Sequence, residues 1–333
     1  MSKKREIVFV KMLDATFIQK DIPILEEFAK VEEVYYKNSK GIGFAFAWFT
    51  SIFTFIKLFR KASDVYIWFA DYHAFLPVFL SKFFKVKSYI NIAGYDAAHI
   101  PELNYGAYTN PLRSFCTKYA IRNADYILPV ADNLKKKLDK LIGPIKTTSV
   151  TIPFGFESKN WFCDTPKEDV VVTVSIFETE RRLKIKGLDF FIEVAKAMPD
   201  TKFIIVGSTP KGEELIEKPD NLVLLPRTPQ KELRAIYSKA KIYAQFSISE
   251  GLPNAVIESM LCECIPIGTD VGGIPDIIGD SGYVLEKRKV EDAVVSIKKA
   301  LKDSELGKSA RKRALQEYPY DKRGKMLKEL FEV

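Results

Sequence analysis

Residues 241–270 read KIYAQFSISEGLPNAVIESMLCECIPIGTD. The apolar run at 241–247 has strand character, and a second, IPIGTD, follows at 265–270. Between them a Gly-Leu-Pro-Asn turn opens an apolar helical pattern. Strand, helix and strand in that order make a parallel crossover. Glycine and proline at the turn predict a helix N-terminus with an open backbone, a place that attracts anions. Yet two glutamates, Glu250 and Glu258, flank it.

The alternation extends outward. DVVVTVSIF (169–177), KFIIVGS (202–208) and NLVLLP (221–226) are buried-strand candidates in the same series. Before a Pro/Gly-containing crossing, TTSVTIPFGFE (147–157), an earlier series holds EIVFVKML (6–13), DVYIWFA (64–70), SYINIAG (88–94) and DYILPVA (125–131). Amphipathic stretches such as DIPILEEFAKV lie between these runs. Two series joined near 150 predict an α/β protein of two Rossmann-like domains with parallel sheets, facing each other across a cleft. The expected domains are 1–152 and 153–315, with a C-terminal helix at about 316–333 packing back on the first.

The 333 residues are 47% hydrophobic and 28% charged, a globular composition with room for two domains. The four cysteines, Cys116, Cys163, Cys262 and Cys264, are irregularly spaced. Cys262 and Cys264 lack a second pair to complete a zinc site, so all four read as reduced thiols of a cytoplasmic protein. The N-terminus passes directly into a strand, without the apolar region of a signal peptide. The net charge of +8 is uneven: residues 1–152 hold 22 basic and 14 acidic side chains, and the remainder holds 29 of each. An excess confined to the first half fits an anionic partner there, such as a membrane surface, a lipid phosphate or a nucleic acid.

A nicotinamide-binding domain needs a glycine fingerprint after its first strand. Neither KMLDATFIQKD nor VSIFETERRLKIKG contains one, which argues against a dehydrogenase.

In open α/β sheets, ligands sit beyond the carboxyl ends of the strands. Glu250 follows such a strand. Gly251 lets the backbone approach a ligand, and Pro253 at the first helical position has no N–H to waste. The next N–H groups would receive a diphosphate without a metal. A carboxylate accepts two hydrogen bonds, and vicinal hydroxyls offer two. Glu250 and Glu258 therefore read as grips on hydroxyls either side of the anion, a sugar on one and a ribose on the other. That ligand is a nucleoside diphosphate sugar. In ERRLKIKGLDFF (180–191), Lys186 would neutralise the leaving phosphate, with Arg181 or Arg182 beside it. There is no Asp-x-Asp on a suitable loop, and GTD (268–270) has one carboxylate, so no metal is expected.

At YAQFSISEGLPNAVIESMLCECIPIGTDVGGIPDII (243–278) the chain resembles the retaining glycosyltransferases of family 4, which have the GT-B fold. The segment carries a Glu-x7-Glu pattern, Glu250 and Glu258, followed by Pro266, Gly272, Gly273 and Pro275. KGLDFFIEVAKAMPDTKFIIVG (186–207), ELRAIYSKAKIYAQFS (232–247), IPFGFE (152–157) and NADYILPVADNLKKKL (123–138) extend the likeness. It covers 88–285 well and the first 85 residues weakly. It implies that Glu250 contacts the donor sugar, that the backbone of Gly251, Leu252, Pro253 and Asn254 lies near the diphosphate, and that Glu258 holds the ribose. Lys186 with Arg181 or Arg182 would stabilise the leaving diphosphate. Family spacing selects Arg181, but the loop here is longer, so both stay open. The nucleobase would lie near Gly207 and Arg227.

Two features depart from the family. The glycine-rich first loop is missing, and Ala93 stands where a histidine often precedes Gly94-Tyr95-Asp96. The resemblance implies transfer of a hexose-type sugar from a nucleoside diphosphate sugar to an acceptor hydroxyl with retained configuration. The setting would be glycan, glycolipid or cell-surface polysaccharide synthesis, with no cofactor and no nucleic-acid partner. No enzyme nucleophile can be assigned; the departing phosphate would itself take the acceptor proton. A glycan or lipid-linked acceptor is expected against the first domain, near Gly94, Tyr95 and Asp96 and the loop Asp71-Tyr72-His73. Asp96 would orient a hydroxyl or cap the following segment, and His73 would take a polar role or pack under a loop. The competing readings are a GT-B nucleotide-sugar epimerase or hydrolase, which needs no acceptor, and a non-catalytic protein that only binds sugar nucleotides.

Residues 41–56, GIGFAFAWFTSIFTFI, carry no charge over 16 positions, and Lys57, Arg60 and Lys61 follow. The run is shorter than the roughly 20 residues a spanning helix needs. Phe44, Phe46, Trp48, Phe49, Ile52, Phe53, Phe55 and Ile56 would point around most of a helix. This predicts either an interfacial helix at the inner face of the plasma membrane, or a helix packed in the core or against a second copy.

Overall fold

The computed structural model describes residues 5–36 and 42–332, without the side chains of residues 16 and 42–47. Gly41 and the side chains of Phe44 and Phe46 therefore lie outside the described residues.

The chain forms two compact units, residues 1–154 with 321–333, and residues 155–320. In the first, β1 (Arg5–Lys11), β2 (Ala29–Tyr35), β3 (Asp64–Trp68), β4 (Lys87–Ile92), β5 (Tyr126–Pro129) and β6 (Thr148–Ser149) form one sheet in the order β2-β1-β3-β4-β5-β6. In the second, β7 (Glu168–Val174), β8 (Lys202–Ser208), β9 (Leu222–Pro226), β10 (Ala240–Gln245), β11 (Ile265–Thr269) and β12 (Tyr283–Leu285) are ordered β12-β11-β10-β7-β8-β9. Every pairing is parallel. In each sheet the order reverses once, between β1 and β3 and between β7 and β10. A binding crevice forms at such a reversal, because the loops leaving the two neighbouring strands run to opposite sides.

The central strands are the apolar runs legible in the sequence. All of β3 and β11 is buried, as a strand covered by helices on both faces requires. The edge strands β2 and β12 escape that reading because only one of their faces meets the core. The stretch read as one amphipathic element, DIPILEEFAKV, divides into the helix Asp21–Glu26 and the start of β2.

The C-terminal helix Lys322–Glu332 packs with the first unit, whereas Leu306–Glu317 and residues 318–320 stay in the second. The anchor is Arg323. Its guanidinium is buried and bonds both oxygens of Asp21, at 2.6 and 2.7 Å. It also donates to Asn91 Oδ1 at 2.8 Å and to the Ile152 carbonyl at 2.6 Å, and lies over Trp68 and Phe154. Tyr66 and Trp68 donate to Asp21 in turn, so the buried charges are paired and satisfied.

The helix Ile42–Phe59 is 18 residues long. Phe55 and Phe59 face the core, and Tyr36 OH donates to Ser51 on the same buried side. Among the described residues no helix is long and apolar enough to cross a membrane.

Candidate active site

The second sheet reverses between β7 and β10, and the two loops leaving those strands meet. Thr179 caps the short helix Glu180–Ile185, which hands the chain to Lys186 and Gly187. Gly187 has φ +67°, and a Cβ there would stand 1.9 Å from the Phe246 carbonyl oxygen. Only glycine permits this approach, which lays Lys186 across the end of β10. The backbone adds a tie, Ile248 N–H to the Ile185 carbonyl at 2.9 Å.

The result is a direct pair: Lys186 Nζ bonds Glu250 Oε1 at 2.7 Å, with Glu250 mostly buried. Two further donors reach the same oxygen, Ser247 Oγ at 2.8 Å and Gln245 Nε2 at 3.2 Å. Gln245 also donates to Ser247 Oγ and accepts from Tyr243 OH, both at 2.7 Å. Thr269 Oγ1 holds the Ser247 carbonyl at 2.6 Å. Glu250 is thus anchored through Oε1, and among the described residues nothing donates to Oε2. Such a carboxylate is fixed in direction and keeps an acceptor oxygen available for hydroxyls.

Glu250 is followed by Gly251, Leu252 and Pro253, then the helix Asn254–Leu261. Pro253 occupies the cap with φ −70° and ψ 111°, one position earlier than the sequence predicted. No side chain caps this helix, so its first N–H groups retain their capacity for an anion. A Cβ on Gly272, at φ +57°, would lie 2.2 Å from the Glu250 carbonyl oxygen. The loop at 271–273 therefore seats directly on the Glu250 turn, with Gly273 N–H donating to the Gly251 carbonyl at 2.6 Å.

Glu258 lies partly buried on the helix behind this turn. Gly207 is near the end of β8, and Arg227 is exposed just after β9. Arg181 and Arg182 are exposed on the helix Glu180–Ile185, and neither side chain makes an ion pair among the described residues. The structure thus joins Lys186 to Glu250 and leaves both arginines outside that contact. Gln245, Ser247, Tyr243 and Thr269 escaped the sequence reading; polar Gln245 within an otherwise apolar strand was the available signal.

In the first unit, Gly94 (φ 123°) precedes the turn Tyr95–Ala97. Asp96 is buried and accepts from the backbone N–H groups of Ala70, Ala93 and Gly94 at 3.2, 3.1 and 2.9 Å. Its carboxyl ties the ends of β3 and β4 together, closer to the capping alternative than to the orienting of a hydroxyl. Burial pushes its pKa up to about 7, against the pull of those amides. A carboxyl with a higher pKa in the folded chain takes up a proton on folding. Its contribution is complete below the ordinary 3.8 and is lost as the pH rises through about 7. Asp96→Asn brings an NH2 group against amide donors and is expected to cost about 1–3 kcal/mol at acid pH. Urea unfolding should show that cost shrinking as the pH rises from 3.8 to about 7; a constant difference across that window would contradict the protonation.

His73 follows the packed alternative. It is buried in the helix Tyr72–Phe84, and Nε2–H donates to the Trp68 carbonyl at 2.8 Å. Burial lowers its pKa, and Asp71 caps the helix above it. Nearby, Arg113 pairs with Asp71 at 3.0 Å, lies over the rings of Tyr72 and Tyr95, and donates to Tyr95 OH at 2.5 Å.

Residues 167–317 match the family model of the glycosyl transferases group 1. That match falls entirely within the second unit. A phosphatidylinositol N-acetylglucosaminyltransferase component from Arabidopsis thaliana is 29% identical over 146 residues, which are 41% of this chain and 32% of that protein. The chain therefore spans only about a third of that relative. The teichuronic acid biosynthesis glycosyltransferase TuaC of Bacillus subtilis, itself described as putative, is 24% identical over 303 residues, 86% of this chain and 75% of the other. The structure of Anabaena HepE in complex with UDP and glucose superposes with a TM-score of 0.71 at 14% identity, covering 98% of this chain and 99% of that one. That likeness establishes the fold: two parallel six-stranded sheets of the GT-B class. Lys186, Glu250 and Glu258 all lie inside the matched glycosyl transferase domain.

Proposed function

We propose that the protein is a retaining glycosyltransferase that moves a hexose-type sugar from a nucleoside diphosphate sugar to an acceptor hydroxyl, in glycan, glycolipid or cell-surface polysaccharide synthesis. The observation that carries this reading is the Lys186–Glu250 pair, held beside an uncapped helix start where the second sheet reverses. The relative bound to UDP and glucose supports a nucleotide-sugar donor.

In this reading Glu250 receives donor-sugar hydroxyls on Oε2, and Glu258 receives the ribose. The amides after Gly251, Leu252 and Pro253, through Asn254, take the diphosphate. Lys186 stabilises the charge that develops on the leaving group, with Arg181 or Arg182 adding a second cation. The base lies towards Gly207 and Arg227. Helix amides and lysine supply the positive field, so neither a metal nor a cofactor is required, and activity should survive a chelator. The first unit carries the acceptor contacts, with Tyr95 and Gly94 at its sheet edge. We place the protein in the cytoplasm, peripheral at the inner face of the plasma membrane.

The test begins with thermal unfolding against a panel of nucleotide sugars, because a ligand at 100 times its Kd adds about 2.7 kcal/mol. Glu258→Ala is expected to weaken donor binding by about 1–3 kcal/mol. Glu250→Ala should reduce kcat more than donor affinity, since a contact that strengthens in the transition state is lost. Wild-type behaviour in both variants would remove the donor-site assignment. Transfer with inverted configuration would refute retention, and turnover without any acceptor would replace the reading with hydrolysis or epimerisation.

A further inference from the structure

Three helices of the first unit, Ile42–Phe59, Tyr72–Phe84 and Pro111–Asn123, leave large apolar side chains in solvent. Phe49 is 58% exposed, Phe53 65%, Phe83 70%, Leu112 63% and Phe115 58%. Phe83 and Phe115 belong to a connected aromatic chain, and Phe49 and Phe53 meet each other at 5.9 Å on the first helix. Trp48 stacks on Phe75 at 6.3 Å, joining the first helix to the second. Phe75 touches Phe115 at 6.0 Å and Tyr119 at 4.7 Å, joining the second helix to the third. Phe75, Phe79 and Phe83 run one turn apart along the middle helix, with centroid spacings of 6.1 and 5.1 Å. Isolated exposed phenylalanines need no explanation, but a continuous patch built by three elements does.

The charge on these helices has one sign. None of the three contains an aspartate or glutamate. They carry Lys57, Lys82, Arg113, Lys118 and Arg122, and Arg60 and Lys61 follow the first directly. Lys82 and Arg113 pair with Asp125 and Asp71 from outside the helices. Among the described residues no carboxylate pairs with Lys57, Arg60, Lys61 or Lys118.

We propose that this three-helix face docks the protein on an anionic lipid bilayer, with the aromatic rings at the headgroup boundary and the lysines and arginines against lipid phosphates. A two-fold contact with a second copy would set the same cations against each other, which is unfavourable. An anionic bilayer satisfies both halves of the surface, apolar and cationic. No helix need enter deeply, in keeping with the absence of a spanning helix among the described residues.

The molecule contains its own probe. Of its three tryptophans, Trp68 and Trp161 are buried at 0% and 4% exposure, leaving Trp48 as the one at the proposed boundary. The full chain would be floated with phosphatidylcholine vesicles, and with vesicles of phosphatidylcholine and phosphatidylglycerol, at low and high salt. Flotation should require phosphatidylglycerol and weaken with salt. Trp48 emission should shift to the blue on those vesicles and be quenched by brominated lipid. Replacing Lys57, Arg60 and Lys61 by glutamine should weaken partitioning on the order of a hundredfold, at about 1 kcal/mol per cation. The combined Phe53→Ser, Phe83→Ser and Phe115→Ser variant should lose flotation while keeping its unfolding temperature, because all three rings are exposed. Brominated-lipid quenching of the unaltered protein needs no variant, so a misfolded variant leaves the test intact. Failure to float at low salt overturns the proposal. So does flotation without a Trp48 response, or a dimer that the phenylalanine substitutions abolish. The assay contains no nucleotide, so its outcome is separate from the donor-site reading.

Discussion

Lys186→Ala is expected to lower turnover by about a hundredfold or more, the loss seen when a preorganised stabiliser of developing charge is removed. The ammonium is held by Glu250 at 2.7 Å, and its backbone is fixed by the close approach of Gly187 to Phe246. It is therefore positioned before any ligand arrives and needs little reorganisation when charge develops on a departing phosphate. Removing it need not release Glu250, because Ser247 and Gln245 still donate to the same oxygen. The defect should accordingly fall on kcat more than on donor KM. Lys186→Arg is not a conservative rescue, since a planar fork replaces a point charge in a confined turn. Arg181→Ala and Arg182→Ala should differ from each other, the larger defect marking the phosphate ligand. Steady-state kinetics on the three alanine variants provide the check. Equal and mild losses in all three would mean that this loop is only a solvated surface.

Arg323→Leu is expected to destabilise the first unit by about 3–5 kcal/mol, the cost of leaving a buried charge without its partner. Asp21 has no exposed surface, and Arg323 supplies its bidentate partner. Substitution would also strip donors from Asn91 and the Ile152 carbonyl and open the contact over Trp68 and Phe154. The C-terminal helix should then detach, raising its amide exchange and protease sensitivity before the sheets unfold. Pairing Arg323→Leu with Asp21→Asn should restore part of the loss, because the stranded carboxylate is then removed as well. Urea unfolding of the single and double variants measures this. A single variant within about 0.5 kcal/mol of the parent, the range of ordinary surface changes, would contradict the anchoring role.

Much of this molecule follows from local sequence pattern. Buried parallel strands are continuous apolar runs, so β1, β3, β4, β5, β7, β8, β10 and β11 are legible without any partner. Two series of such runs around a Pro/Gly crossing near 150 specify two α/β units. The turn Glu250-Gly251-Leu252-Pro253 and the distant Lys186-Gly187 both follow strands, and that alone directs them to carboxyl edges. Edge strands β2 and β12 were hidden because one face of each is wet, which breaks the apolar run. Side-chain direction was hidden too: Asp96 and His73 lie where loops leave strands, yet both turn inward, Asp96 to the backbone of Ala70, Ala93 and Gly94 and His73 to that of Trp68. The three donors that fix Glu250 Oε1, the pairing of Asp21 with Arg323 across 302 positions and the joining of three aromatic helices into one face were decided only on folding. Lys186 reaches Glu250 across 64 positions and Arg323 reaches Asp21 across 302, and even the nearby Ser247 and Gln245 need their side chains turned to one oxygen; a local pattern carries no record of which buried polar group or exposed ring will meet which.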